Sequence, residues 1–157
     1  MIEPTFNIVL YSPQIPNNTG NIGRTAMATG CVLHLIHPIA FDVDEKAVRR
    51  AGLDYWKSLN VQEHASWQDF LDSEQPERIW LYTTKSALPH WEVVFQQGDY
   101  LLFGSEQNGV PDTVHNWIQS EYGDNARVHL PMMNNARSLN LATAVCAAVY
   151  EGVRQIS

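Results

Sequence analysis

Three short segments of this 157-residue chain carry residue choices that a packed core does not demand. The first is Pro16-Asn17-Asn18-Thr19-Gly20-Asn21-Ile22-Gly23-Arg24. It gathers small polar residues and backbone N–H groups at what reads as a helix start, a place that receives an anion well. Arg24 falls one turn into that helix and could face the same spot; a plain capped helix with an exposed arginine explains the same residues. In the second segment, Leu102 to Pro111, Gly104 and Gly109 flank a carboxylate, Glu106. Gly104 would let a ligand approach the backbone closely, and Asn108-Gly109 suits a tight turn. A simple strand-turn-helix connection accounts for both glycines and leaves Glu106 without a role. The third runs from Leu130 to Leu141, where Ser138 and Asn140 could cap a following helix. Polar capping residues beside Pro131, Met132 and Met133 also suit a ligand with an apolar body and polar ends. Neither a G-x-G-x-x-G nor a Walker pattern is present, so a dinucleotide or triphosphate site has no sequence support.

Regular elements must bring these segments together. Phe6 to Tyr11 is a short, almost wholly apolar run, as expected of a parallel strand covered on both faces. Asn18 or Thr19 as N-cap and Gly30 as stop predict a helix over roughly Gly20 to Thr29. Val32 to Ile36 reads as a second strand, and Asp44 to Ala51 as a short helix ended by Gly52. Ser66-Trp67-Gln68-Asp69 resembles a capping box, opening a helix through Asp72. Further strands are expected at Ile79–Tyr82, Tyr100–Phe103 and Arg127–Leu130, with a helix after Pro111. Leu141, Ala144, Val145, Ala148, Val149 and Gly152 recur at helical spacing on a final helix ending near Ile156. Alternating strands and helices point to an α/β domain with a mainly parallel sheet and helices on both faces, spanning residues 1–157 as one unit. Ligands of such sheets bind beyond the carboxyl ends of the strands, so the loops after Tyr11, Tyr82, Phe103 and Leu130 are the ones to watch.

Composition bounds the rest. Hydrophobic residues at 45% and charged residues at 17% describe an ordinary globular chain. No apolar run approaches the length of a membrane span, and the first residues lack a signal-peptide pattern. Cys31 and Cys146 stand far apart in apolar neighbourhoods and read as buried free thiols, which suits the cytoplasm. The histidines are scattered without ligand pairing, so no metal is expected; His34 alternates with apolar neighbours and reads as a satisfied core or interface histidine. Most of the tryptophans read as packing residues before base-stacking ones. A net charge of −7 is the opposite of a nucleic-acid binder's average. Lys46, Arg49, Arg50 and Lys57 cluster, however, and Arg127 and Arg137 bracket another segment, so a local basic face is compatible with an acidic mean.

Taken together, the three segments resemble the SPOUT superfamily of RNA methyltransferases, in particular its small YibK-like branch. The residues carrying the likeness are Asn18-Thr19-Gly20-Asn21-Ile22 followed by Arg24, Phe103-Gly104 with Glu106 and Gly109, and Pro131-Met132 with Ser138-Leu139-Asn140-Leu141. Arg49 to Tyr55 and Thr83-Thr84-Lys85 also look like this branch. One departure is mild: Gln107-Asn108 stand where a Thr-Arg pair is more usual, which removes a basic RNA contact.

The resemblance implies a fold whose C-terminal part forms a deep trefoil knot, a rare exception among topologies. It implies S-adenosylmethionine as methyl donor, S-adenosylhomocysteine as product and no metal. It further implies a homodimer that shares its active site between subunits, with Tyr150 of the last helix at the interface. By the same carry-over the cofactor contacts Tyr82 and Thr83, Gly104, Leu130 and Met132, and Ser138 and Leu141. Arg24 is the leading catalytic residue, Asn140 and Ser138 position it or the hydroxyl, and Glu106 organises the loop or the RNA. The substrate implied is tRNA, methylated on the ribose 2′-hydroxyl of the wobble nucleotide at position 34, cytidine or modified uridine, in leucine isoacceptors. Two alternatives stand beside it: a different tRNA or ribosomal RNA position, and an RNA-binding module without catalysis.

Overall fold

The computed structural model describes residues 3–136 and 138–157, with the side chains of residues 51–55 outside the description. Arg137 therefore lies outside the described residues, as do the side chains of residues 51–55 in the Arg49–Tyr55 segment. Six strands, β1 (Asn7–Tyr11), β2 (Val32–Ile36), β3 (Val61–His64), β4 (Ile79–Tyr82), β5 (Tyr100–Phe103) and β6 (Arg127–Val128), form one sheet of order β3-β2-β1-β5-β4-β6. All five pairings are parallel. Five helices connect or follow them: α1 (Pro16–Thr29), α2 (Lys46–Gly52), α3 (Trp67–Glu74), α4 (Asp112–Tyr122) and α5 (Leu141–Ile156).

The apolar runs explain the layering. Ile8 and Leu10 of β1 share a fully buried cluster with Ile22 and Ala26 of α1 and Val145, Ala148 and Val149 of α5. Val9, one residue out of phase, joins Phe70 of α3 and Val114 and Ile118 of α4 on the other face. Strands covered on both faces lose their alternation, which is why they read as continuous apolar runs. Each fully buried Leu, Ile or Phe contributes roughly 1.5–3 kcal/mol. Gly152 lets α5 lie flush on the sheet: a Cβ there would come within 2.6 Å of the Phe6 ring.

β1, β2 and β3 step outward one way, then the chain crosses to place β4, β5 and β6 on the other side of β1. The loops after β1 and β5 diverge at that switch in strand order, where open α/β sheets open a crevice.

Some expectations shift. β3 is additional to the strands expected; its edge position tolerates the polar Gln62 and Glu63. α1 begins at Pro16 with Ile15 as N-cap, not at Gly20, and Asn18 and Thr19 are buried within it. Proline at the first position needs no N–H partner and holds a helical φ. α3 runs two residues beyond Asp72, with Ser66 accepting from the Asp69 N–H as its capping box requires. β6 stops at Val128, and His129 continues only as an isolated bridge to Pro89. Cys31 is buried and Cys146 half-buried, both free.

Candidate active site

The loops at the carboxyl ends of β1, β4, β5 and β6 surround one cavity of about 620 Å³. Its β5 wall is a closed turn: Ser105 N–H donates to the Gly109 carbonyl at 3.1 Å and Gly109 N–H donates back at 3.0 Å. Gly104 leads into it so tightly that a Cβ would sit 2.4 Å from the Gly109 backbone. Gly109 itself holds φ +63, the region only glycine enters freely.

The turn projects Glu106 into the β1–α1 loop. Its carboxylate accepts the Gln14 and Ile15 N–H groups, each at 2.8 Å, and the Asn18 side-chain amide at 3.3 Å. A carboxylate from a distant loop thus holds the start of α1, the work sequence reading gives to Asn18 or Thr19. Three N–H donors occupy the carboxylate and join the β5 turn to the start of α1.

From the opposite side, the Asn140 side chain caps α5 by accepting the Thr143 N–H at 3.1 Å and donates to Asn18 Oδ1 at 3.0 Å. Asn140 alone caps α5; Ser138 is exposed beside it and has no hydrogen bond among the described residues. On the β4 side, Tyr82 stacks on Phe103 with ring centroids 4.9 Å apart, and its hydroxyl pairs with His90 Nδ1 at 3.0 Å. Burial pushes this phenol well above its ordinary pKa, so it stays neutral. Thr83 N–H continues the sheet to the Val128 carbonyl, while its hydroxyl accepts the Lys85 N–H.

Tyr82, Thr83, Gly104 and Glu106 therefore line the cavity on one side. Leu130, Met132, Ser138, Asn140 and Leu141 line it on the other. Arg24 does not join them. It is exposed on α1 and is not among the residues that line the cavity of its own chain. Asn18, Lys85, His115 and His129 also line the cavity. Sequence reading had no role for the last two: nothing local ties α4 to that wall, and His129 precedes the loop after Leu130 that the strand rule selects.

The histidines differ from expectation in one respect. His34 and His64, thirty residues apart, stack and pair in the core, with Glu74 alongside. Hydrogen bonding accounts for the contact. Asn7 Nδ2 donates to the Gly98 carbonyl, so Asn7 Oδ1 accepts from His34 Nε2 at 3.0 Å. His34 Nδ1 then accepts from His64 Nε2 at 3.0 Å. Burial, with His64 beside it, lowers the His34 pKa to about 3. Among the tryptophans, Trp56 packs against Gly23, Trp67 against Trp117, and Trp80 donates to Asp99, while Trp91 is 56% exposed. No helix among the described residues is long and apolar enough to cross a membrane.

With this geometry in view, comparison with known proteins is specific. Residues 5–150 match the SpoU rRNA Methylase family, and the chain belongs to it. A Saccharophagus degradans protein named tRNA (cytidine(34)-2′-O)-methyltransferase is 47% identical over 151 residues, covering 96% of each chain. An Escherichia coli K12 protein of the same name is 44% identical over 150 residues, covering 96% of this chain and 93% of its own. Among solved structures, one that concerns the 2-OH methylation of C/U34 on tRNA superposes with a TM-score of 0.86 at 40% identity, covering 96% and 95% of the two chains. The SpoU methyltransferase AviRb from Streptomyces viridochromogenes, solved with AdoMet, gives 0.84 at 26% identity over 99% of this chain and 62% of its own.

Proposed function

We propose that this chain transfers a methyl group from S-adenosylmethionine to the ribose 2′-hydroxyl of nucleotide 34, cytidine or modified uridine, in tRNA. The observation that carries the reading is the convergence of the β4, β5 and β6 loops on one cavity, in a chain 41–47% identical to proteins named for that reaction. The cavity has the size and the mixed lining of a small-molecule site. Phe103, Leu130 and Leu141 offer an apolar wall, and Ser138 and the Gly104 backbone offer polar groups at its edge.

S-adenosylmethionine supplies a methyl on a sulfonium, already an activated electrophile. The chain has to align the hydroxyl with it and stabilise negative charge growing on that oxygen. Arg24 is suited to the second task. A guanidinium stays charged and has no proton-accepting site, so it orients ribose or phosphate and stabilises the alkoxide, and it does not act as the base. Because Arg24 lies outside the cavity of its own chain, it belongs to the cavity of a second copy, and the homodimer is part of this proposal. Exposed Ile15, Leu139 and Tyr150 support such a contact. The C-terminal knot and the cytoplasmic location belong to the same reading; the knot's support is that the segment after β6 returns across the site to set Asn140 against Asn18.

The RNA needs a basic face on an acidic chain. Arg24, Lys46, Arg49, Arg50 and Lys57, half of the ten Lys and Arg residues, are exposed on α1, α2 and the turn after it. None forms an ion pair among the described residues. The family's rRNA description favours a second reading, 2′-O-methylation of ribosomal RNA. Incubating the protein with labelled S-adenosylmethionine and unmodified tRNA, then mapping the product by nuclease digestion and mass spectrometry, decides between them. Absence of label in any tRNA removes the proposal.

A further inference from the structure

The cavity has a positively charged end that the proposed reaction leaves unassigned. It lies where the turn after β4 meets α4 and β6, and is lined by Lys85 and His115. His115 is only 6% exposed, yet it sits in the cavity wall. Its Nδ1 lies 3.3 Å from Arg127 Nη1. A guanidinium only donates, so Nδ1 must accept, and the neutral ring carries its proton on Nε2. That Nε2–H has no partner among the described residues. Arg127 is itself held by Asp124, through Nε at 3.2 Å and Nη2 at 2.6 Å, which fixes the ring from behind.

The surrounding charges agree. Burial, Lys85 and Arg127 keep His115 neutral below its ordinary titration range, against the opposing pull of Asp112. Glu106, the acid in the cavity wall, has its charge taken up by two backbone N–H groups and the Asn18 amide. A lysine and a histidine N–H, neither with an acceptor among the described residues, thus line one end of the space.

We infer that Lys85 and His115 Nε2–H form an anion subsite at the β4–α4 end of the cavity, taking a carboxylate or phosphate oxygen of the ligands bound there. This rests on the cavity being the S-adenosylmethionine site. The anion is then either the α-carboxylate of that cofactor or a phosphate of the RNA next to the reacting ribose. A charge-assisted bond from Lys85 and a neutral one from His115 converge on it.

Two variants isolate the donors. Lys85→Ala removes an exposed cation, and His115→Asn keeps an acceptor for Arg127 while removing Nε2–H. Thermal melting establishes that each is folded; Lys85→Ala carries the test if the buried substitution is not tolerated. Calorimetric titration uses S-adenosylhomocysteine and 5′-methylthioadenosine, which shares the nucleoside and lacks the carboxylate. If the carboxylate is the anion, both variants bind S-adenosylhomocysteine about tenfold more weakly and 5′-methylthioadenosine unchanged. If a phosphate is the anion, both nucleosides bind as before, and Lys85→Ala lowers the slope of log K against log salt for tRNA by about one. Unchanged nucleoside affinities with an unchanged slope overturn the subsite. An unaltered protein that binds neither nucleoside overturns the cofactor reading and the carboxylate source together, while the salt slope still decides the phosphate.

Discussion

Asn140 Nδ2 donates to Asn18 Oδ1 at 3.0 Å, joining residues 122 apart and tying the start of α5 to the first turns of α1. The same side chain caps α5 through Thr143 N–H, so one residue performs a local and a long-range task. The two separate experimentally. Asn140→Ser keeps a capping oxygen but is too short to reach Asn18, whereas Asn140→Ala loses both. Cap and tie are each worth about 1 kcal/mol, so thermal melts should show the alanine variant about 2 kcal/mol less stable and the serine variant near half of that. A serine variant as stable as the parent would show that the tie contributes nothing.

Glu106 gives the second prediction. Glu106→Gln keeps one accepting oxygen but turns an NH2 group toward the remaining N–H donors, so at one end donor faces donor. The expected cost is about 2 kcal/mol, with faster hydrogen exchange at Gln14 and Ile15 and weaker cofactor binding. The pH profile of the remaining methyl transfer should keep its shape, because the carboxylate organises the loop and does not carry the proton. A profile that loses its acidic limb would make Glu106 a base instead.

Arg24 and Gly104 are expected to act in different chains around one site. Arg24→Ala should leave melting unchanged, since the side chain is exposed, and lower methyl transfer about 10²- to 10³-fold. Gly104→Ala drives a Cβ into the Gly109 backbone and should abolish S-adenosylhomocysteine binding in calorimetry. Mixed dimers carrying one substitution per subunit should regain part of the activity. No recovery in verified mixed dimers would place arginine and cavity in the same protomer.

Much of this was legible in the sequence because parallel strands announce themselves: β2, β4 and β5 fall at the expected residues. The rule that ligands gather beyond the carboxyl ends of such strands then selected the loops that converge. β3 escaped because an edge strand tolerates Gln62 and Glu63, leaving no apolar run to see. The start of α1 was misplaced because the carboxylate that holds it comes from residue 106, and capping rules read only neighbours. The pairing of His34 with His64 was hidden for the same reason, as was the entry of His115 into the cavity wall. Sequence spacing ranked Arg24 with the first loop, while the helix turns it outward.

The histidine pair yields a pH dependence. His34 titrates near 3 in the folded chain against an ordinary value of 6.5, so the unfolded chain binds its proton first. Its contribution is complete above about pH 6.5 and shrinks as pH falls toward 3, by about 1.4 kcal/mol per pH unit. His64, lowered chiefly by its own burial, adds in the same direction. Urea midpoints should hold nearly level from pH 7.5 to about 6.5 and then fall steadily to pH 4.5. His34→Gln should flatten that decline, at a lower starting stability; an equally steep decline would assign the acid sensitivity to other groups.

The closed turn at Ser105–Gly109, clamped through Glu106 to the opposite loop, has a consequence for how the protein works. A wall assembled by its own hydrogen bonds exists before any visitor arrives, so the ordering cost falls on folding and is not levied on each turnover. Loading the small molecule should therefore proceed with little rearrangement, small in heat-capacity change beyond the surface covered. The flexible part of the cycle is left to whatever must approach from outside.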